Sequence, residues 1–224
     1  MKTNSTSVEV LIIALLLVPF VYLAFIWNQL PARIATHYDL QGHANDWMLK
    51  ETSVLVLSIL SAVIYLLLRY LPNIDPKGKL QSGNYQKLRV VITLFFAAMM
   101  SWLWYVAGHQ SETRLSVAAI LALAGLMFAG IGNYLTTVKP NWFVGIRTPW
   151  TLESDEVWRK THRLGGRLMV VGGLLSVVLS FAVPMPYTVG AVVGVLILVS
   201  LVAVVYSYVY FRQEKTRQRN QFAE

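Results

Sequence analysis

The chain has 224 residues, of which 56% are apolar and 13% are charged, and its mean hydropathy is +0.54. Soluble domains carry about 25% charged residues, so this composition excludes an ordinary soluble protein. The net charge is +8, but no segment is long and polar enough to form a basic nucleic-acid-binding domain, so no direct nucleic-acid partner is predicted. Cysteine is absent, which excludes disulfides and thiolate chemistry.

Six uncharged apolar segments reach or approach the about 20 residues that cross a bilayer as a helix. In chain order, the first four lie at 10–27, 52–68, 90–108 and 115–138. Residues 168–211 contain no charge, and the Pro-Met-Pro sequence at 184–186 divides them into segments five and six. Because these runs are continuous and do not alternate with polar residues, they are not barrel strands. The predicted fold class is all-α, a polytopic integral membrane protein with six transmembrane helices in one bundle.

The basic residues of the gaps predict the orientation. Sixteen of the 19 Lys and Arg residues lie in the even-numbered gaps and at the termini. The positive-inside rule therefore places both termini in the cytoplasm. The predicted divisions are an N-terminal hairpin, 1–71, with an outer loop at 28–51, and a four-helix region, 72–224, with an inner loop at 136–163 and a basic cytoplasmic tail at 212–224.

Small residues within the segments predict close helix contacts, because backbone approach replaces hydrophobic burial as a driving force in lipid. Three such pairs occur, and we expect them to pack within the bundle, with a dimer interface as the alternative. They are Gly190 with Gly194, Gly125 with Ala129, and Gly172 with Gly173.

The outer loop is longer than the about 2–8 residues that usually connect bundle helices, so it is a candidate functional loop. Four of its side chains are imidazole or carboxylate groups, which zinc accepts as ligands. Their spacing fits no established metal motif, and two histidines six residues apart do not share a helix face. A metal site is therefore an alternative to histidines satisfied by loop backbone or water; its candidate ligands are His37, Asp39, His43 and Asp46.

The same loop also has the composition of a recognition surface. Tyr38 and Trp47 are residue types typical of the lipid headgroup layer. An outer surface with aromatic anchors and mixed polar groups suits an amphipathic peptide that arrives from outside. The candidate peptide-binding residues are His37, Asp39, Gly42, His43 and Trp47, where Gly42 provides the backbone freedom to reverse the chain.

The inner loop divides into an irregular part and a helix start. Pro140, Gly145 and Pro149 interrupt regular structure in the first part. Ser154 or Thr151 is the predicted N-cap of the helix that follows.

Charges on that helix predict both internal pairs and lipid contacts. Asp155 with Arg159 and Glu156 with Lys160 have the spacing and order of favourable i, i+4 ion pairs. Arg159, Arg163 and Arg167 form a stripe that would meet lipid phosphates, so membrane lipids are expected partners.

The density of tryptophan, proline and arginine in the inner loop resembles a docking surface, where Trp and Arg are the usual anchors. We expect this surface to face the cytoplasm. Its candidate residues are Lys139, Pro140, Asn141, Arg147, Thr148, Pro149, Trp150, Trp158, Thr161 and His162.

Over nearly its whole length the chain resembles the SdpI family of bacterial immunity proteins. The outer loop is similar to the family's N-terminal domain of unknown function in Leu30-Pro31, Ile34, Thr36-His37, Gly42, Trp47 and Lys50. The inner loop matches a longer signature in Gly132-Asn133, Lys139 to Asn141, Gly145 to Leu152, Val157-Trp158, Thr161-His162 and Gly165.

The resemblance implies a multi-pass protein of the bacterial cell membrane that gives resistance to a secreted, cannibalism-type peptide toxin. It leaves open a further signalling role, in which toxin engagement recruits a cytoplasmic transcriptional repressor to the membrane. The outer loop would then bind toxin and the inner loop would dock the repressor. No catalytic residue and no cofactor is predicted.

Two other classes of function remain as alternatives. A multidrug or peptide transporter would need intramembrane carboxylates for coupling, and the segments offer only Glu9 at the first boundary. No inverted repeat is apparent either. A metal-dependent membrane hydrolase would need the outer-loop ligand set, with His109 from the neighbouring outer turn as a further ligand.

Overall fold

The computed structural model describes residues 6–39, 43–76, 78, 80, 83–109, 113–185 and 187–221. Within them, six helices are long and apolar enough to cross a membrane. The prediction of an all-α membrane protein with six spanning helices is therefore confirmed. The six long helices are α1 (Thr6–Ile26), α2 (Lys50–Tyr70), α3 (Gly83–His109), α4 (Thr113–Leu135), α6 (Asp155–Ala182) and α7 (Tyr187–Gln221), and the short α5 spans Pro149–Glu153.

Two of the spanning helices begin well before the apolar runs that predict them. The helix α3 begins seven residues before its uncharged segment, and α6 begins thirteen residues before its own. The predicted break at 184–186 is confirmed, since α6 ends at Ala182 and α7 begins at Tyr187. The predicted basic tail continues α7 as helix to Gln221.

A two-stranded antiparallel sheet, which the sequence pattern did not predict, occupies the outer loop. Strands β1 (Arg33–Tyr38) and β2 (Ala44–Leu49) pair with a register irregularity after Ala35. We call the end of the bundle that carries this hairpin the hairpin side. The opposite end carries residues 136–154 between α4 and α6, which we call the connector.

The contact between α4 and α6 is the most extensive helix pairing of the bundle. Glycines face each other across it. A Cβ atom added at Gly166 would lie 2.5 Å from the carbonyl oxygen of Gly132, and one added at Gly125 would lie 2.7 Å from that of Gly173. The two backbones are therefore in direct contact, as expected where small residues drive helix association in lipid.

The other predicted small-residue contacts divide into two groups. The predictions for Gly125 and for the Gly172-Gly173 pair are confirmed, because Gly172 packs against Val199 of α7. The prediction for Gly190 and Gly194 is wrong: an added Cβ at either position meets no atom of the described residues within 4 Å. These two glycines lie on a face of α7 that the bundle leaves open.

We expect Gly166→Ala to destabilise the bundle by about 1–3 kcal/mol, the usual cost of adding a methyl group to a filled interface. The added carbon would meet backbone on α4, which cannot move aside as a flexible side chain can. Thermal unfolding of the purified protein in detergent measures the change.

Gly190→Ala is the matched control, because the same substitution in α7 enters open space. We expect its effect to stay within about 0.5 kcal/mol. Equal destabilisation by the two variants would show that the α4–α6 contact has no special role in stability.

Candidate functional site

The polar side chains of the hairpin form two separate pairs. His37 lies opposite Asp46 in the strand register, with Nδ1 3.4 Å from Oδ2. His43 lies beside Asp39, with Nδ1 3.4 Å from Oδ2, and its backbone N–H donates to Asp39 Oδ1 at 2.8 Å. Trp47 is half exposed on the second strand. Gly42, the remaining predicted peptide-binding residue, lies outside the described residues.

This arrangement does not assemble the ligand set of the metal alternative. Among the described residues, no group of three or more His, Cys, Asp or Glu side chains could hold a metal ion. His109 does not join the hairpin histidines. Its Nδ1 lies 3.0 Å from the carbonyl oxygen of Tyr105, and its ring stacks on that of Tyr105 at 4.4 Å.

Contacts with both the first and second helices fix the hairpin to the bundle. The ammonium group of Lys50 lies 4.5 Å above the ring of Trp27, and the backbone N–H of Lys50 donates to the carbonyl oxygen of Ala32 at 3.0 Å. Ile34 is 1% exposed and belongs to a core cluster with Leu23 and Trp104. The hairpin is therefore a packed element of the fold.

A cavity of about 510 Å³ opens beneath the hairpin, and we call it the hairpin cavity. Its rim is polar, and its body is formed by apolar side chains of α2, α3, α4 and α7. The rim residues are Thr36, His37, Tyr38 and Asp39, and the body includes Leu57, Leu60, Met99, Trp102, Ile120 and Val189.

A second and larger cavity, of about 980 Å³, lies on the other side of Trp102. It is bordered by α1, α3, α4 and α6, and its polar edge carries Gln29 and His109. Trp102 stacks on Tyr105 at 5.3 Å and lines both cavities. The hairpin side therefore presents two apolar spaces with polar entrances, and Trp102 lines both of them.

On the connector side, Asn141 organises the irregular backbone. Its side chain is 0% exposed. The amide nitrogen donates to the carbonyl oxygens of Lys139 and Val144 at 2.9 Å each, and the amide oxygen accepts from the backbone N–H groups of Phe143 and Val144 at 2.8 and 2.7 Å. One buried amide thus satisfies four backbone groups of the connector.

Two side chains of α6, those of Trp158 and His162, form hydrogen bonds with the backbone of the connector. The Trp158 indole N–H donates to the carbonyl oxygen of Val138 at 3.0 Å. His162 Nε2 accepts from the backbone N–H of Ile146 at 2.8 Å, and Nδ1 lies 2.8 Å from the carbonyl oxygen of Trp158. An acceptor at Nε2 and a donor at Nδ1 define the neutral Nδ1–H tautomer. At Gly145, φ is +140°, and an added Cβ would collide with the His162 ring.

Two caps end the connector. Thr148 and Thr151 form a capping box around α5, and Ser154 accepts from the backbone N–H of Val157 at the start of α6. The predicted cap at Ser154 is confirmed, whereas Thr151 lies inside α5 and is not the cap of α6. The Trp150 indole donates to Ser207, which fixes α5 to α7.

The predicted docking residues of the inner loop therefore have different exposure. Five of them are buried and contribute to the packing of the connector, so they do not present a surface in this conformation: Asn141, Thr148, Trp158, Thr161 and His162. Lys139, Arg147 and Pro149 are exposed, and Pro140 and Trp150 are partly buried. The largest exposed apolar side chains of the connector are Trp142, 45% exposed, and Phe143, 36% exposed, neither of which was a predicted site residue.

An ionic cluster that the sequence reasoning missed joins three helices near the connector side. The Glu9 carboxylate contacts Arg89 Nη1 at 2.5 Å and Nη2 at 3.2 Å, and Arg69 Nη1 at 2.6 Å. The Tyr65 hydroxyl donates to the same carboxylate at 3.1 Å. Arg89 is 1% exposed. Each of the three charged residues lies directly next to a predicted apolar segment. This shared position at the segment boundaries is the sequence feature that could have predicted the cluster.

The fold and these two faces define a polytopic membrane protein with an outer-loop hairpin and a folded connector. The SdpI/YfhL protein family matches residues 137–210, and a domain of unknown function, DUF1648, matches residues 14–72. The immunity protein SdpI of Bacillus subtilis (strain 168) is 22% identical over 213 residues, covering 95% of this chain and 98% of that protein. No solved structure matches the chain significantly. The resemblance to the SdpI family is therefore confirmed, by the family model over residues 137–210 and by the relative over nearly the whole chain.

We expect Glu9→Gln to destabilise the protein by about 3–5 kcal/mol, because it leaves the buried Arg89 guanidinium without its carboxylate. Thermal unfolding in detergent measures this change. The double variant Glu9→Gln with Arg89→Met should recover much of the loss, since it removes the buried charge that lost its carboxylate.

The matched control is Glu153→Gln. Glu153 also forms an ion pair, with Lys215 at 2.7 Å, but both side chains are more than half exposed. Its effect should stay below about 1 kcal/mol. If Glu9→Gln were as mild as this control, the buried cluster would not be a structural requirement.

Proposed function

We propose that this chain is a membrane immunity protein of the bacterial cell membrane that gives resistance to a secreted, cannibalism-type peptide toxin. The support from comparison is the relative named an immunity protein, which aligns with nearly the whole of this chain. In this proposal the hairpin side faces outwards and both termini are cytoplasmic, in agreement with the distribution of basic residues.

The observation that carries the proposal is the shape and polarity of the hairpin cavity. A polar rim that includes His37 and Asp39 stands over a body of leucine, methionine, isoleucine and aromatic side chains. An amphipathic peptide has the matching division, with polar groups for the rim and an apolar face for the body. The cavity opens on the side from which a secreted peptide would arrive.

One helix links this cavity to the connector. The helix α2 contributes Leu57 and Leu60 to the cavity wall and Arg69 to the Glu9 cluster. Just after α2, the Asp75 carboxylate accepts from the backbone N–H of Trp142 in the connector at 3.4 Å. A peptide that bound one position of α2 more tightly than another would shift α2, and the connector with it, toward that position. The size of this shift in the conformational equilibrium is set by the difference in binding free energy.

Neither alternative function is favoured by the geometry or by the comparisons. The Glu9 carboxylate is held by two arginines, so it is not the free carboxylate that proton-coupled carriers use. The hairpin histidines and aspartates form separate pairs, which does not fit the three-ligand site of a metal hydrolase.

We expect Met99→Trp to lower the lethal dose of the toxin by about tenfold or more in cells that depend on this protein for protection. The indole would fill part of the hairpin cavity and compete with the peptide for the same apolar body, and a tenfold change corresponds to about 1.4 kcal/mol of binding free energy. A killing assay with purified toxin measures the effect.

Leu94→Trp is the matched control on the same helix. Leu94 is 53% exposed and does not line the hairpin cavity, so this variant should protect as well as the native chain. If the Met99→Trp variant protects fully at normal membrane abundance, the hairpin cavity is not the toxin-binding site. Sensitivity of cells that express the native chain would contradict the immunity function itself.

A signalling role is the second candidate function, favoured by the exposed side chains of Trp142 and Phe143 beside exposed Lys139 and Arg147. Exposed aromatic and cationic side chains are the usual anchors of a protein interface. We propose that this patch docks a cytoplasmic transcriptional repressor when toxin is bound.

We expect Trp142→Ala to abolish toxin-dependent movement of the repressor to the membrane while protection is retained. A fluorescent fusion of the repressor encoded beside the gene reports this movement. Tyr70→Ala, an exposed aromatic change at the end of α2, is the control and should leave recruitment intact. Recruitment that survives Trp142→Ala, or a gene with no neighbouring repressor, would contradict the signalling role.

A further inference from the structure

On the connector side, a cavity of about 490 Å³ lies between the end of α4 and the first turns of α6. Its volume falls within the about 300–1,000 Å³ typical of small-molecule sites. Side chains from the α4 end, the connector and α6 line it. They are Thr136, Thr137, Val138, Lys139, Pro140, Asp155, Arg159, Lys160, His162 and Arg163.

The charge of this lining is strongly unbalanced. Four cationic side chains, those of Lys139, Arg159, Lys160 and Arg163, face the cavity with a single carboxylate, that of Asp155. Within the described part of the chain, none of the four cations forms a salt bridge. Lys160 lies 6.0 Å from the centroid of the Tyr210 ring, and the single carboxylate of the lining offsets only part of the mutual repulsion of the four cations.

The two ion pairs expected along α6 would have neutralised part of this charge, and that prediction is wrong. Glu156 accepts a hydrogen bond from the Tyr210 hydroxyl at 2.5 Å and forms no salt bridge with Lys160 among the described contacts. The Asp155–Arg159 pair is likewise not formed. The packing of α7 against α6 thus places Tyr210 at the Glu156 carboxylate, in place of the expected i, i+4 partner Lys160.

The remaining polar groups of the lining are already committed. The His162 ring is held neutral by its two backbone hydrogen bonds. The hydroxyls of Thr136 and Thr137 donate to the carbonyl oxygens of Asn133 and Tyr134 at 2.8 and 3.1 Å. The four cations therefore supply the free donors of the cavity, and these donors suit an anion.

We propose that this cavity binds a phosphate group, either the headgroup phosphate of an anionic phospholipid or a free phosphate anion. Two arginines provide planar donor pairs that match phosphate oxygens, and two lysines add positive charge. Basic pockets at the membrane surface between spanning helices are suited to anionic headgroups. The site is independent of the immunity function proposed above.

The test uses the full chain reconstituted in nanodiscs. Retention of phosphatidylglycerol against phosphatidylcholine is measured by native mass spectrometry, and inorganic phosphate is titrated into phosphatidylcholine discs while the melting temperature is followed. Each cation removed near an anionic surface should weaken binding about fivefold, so Arg159→Gln with Arg163→Gln should weaken it about 25-fold. Preference for phosphatidylglycerol assigns the phosphate to lipid, and a melting shift with inorganic phosphate assigns it to the free anion.

Arg212→Gln is the matched control. Arg212 is an exposed arginine of α7, and it does not line the cavity. Its effect should stay within about twofold. An equal loss in Arg212→Gln, or no binding of either phosphate source by the native chain, would overturn the proposal. If the double arginine variant does not fold, Lys139→Gln with Lys160→Gln provides the same test.

Discussion

The close contact between α4 and α6 is the constraint on which the connector side depends. Gly132 and Gly166 bring the two backbones together where α4 ends and α6 has completed its first turns. The nineteen residues between the helices must therefore fold back over a narrow base and satisfy their own polar backbone. Asn141, Trp158 and His162 provide those hydrogen bonds from within the connector and from the helix beneath it.

This constraint changes the meaning of the inner-loop signature. A run of tryptophan, asparagine, threonine and histidine in a polar segment has the composition of a binding surface. In the folded chain, Asn141, Thr161 and His162 are almost completely buried. The motif shared with the SdpI family therefore describes a scaffold in large part, and that scaffold sets the positions of the exposed side chains of Trp142 and Phe143.

The apolar segments and the break at 184–186 could be predicted because length and charge act locally along the chain. The hairpin could not, since its single well-buried strand residue, Ile34, gives little alternation, and the register is irregular after Ala35. The predicted Glu156–Lys160 ion pair does not form because Tyr210, 54 residues away, donates a hydrogen bond to the Glu156 carboxylate. The hairpin cavity also needs four helices together, so no single segment encodes it.

The charges of the connector side follow two different rules. Near Glu9, one carboxylate forms salt bridges with two arginines from different helices, so both cations have a carboxylate partner and the cluster holds α1, α2 and α3 together. Between α4 and α6, four cations share one cavity and the described residues give them no salt bridge. These four side chains are exposed, and an anion from outside the chain would offset their mutual repulsion. The contrast separates charges that stabilise the bundle from charges arranged to bind a ligand.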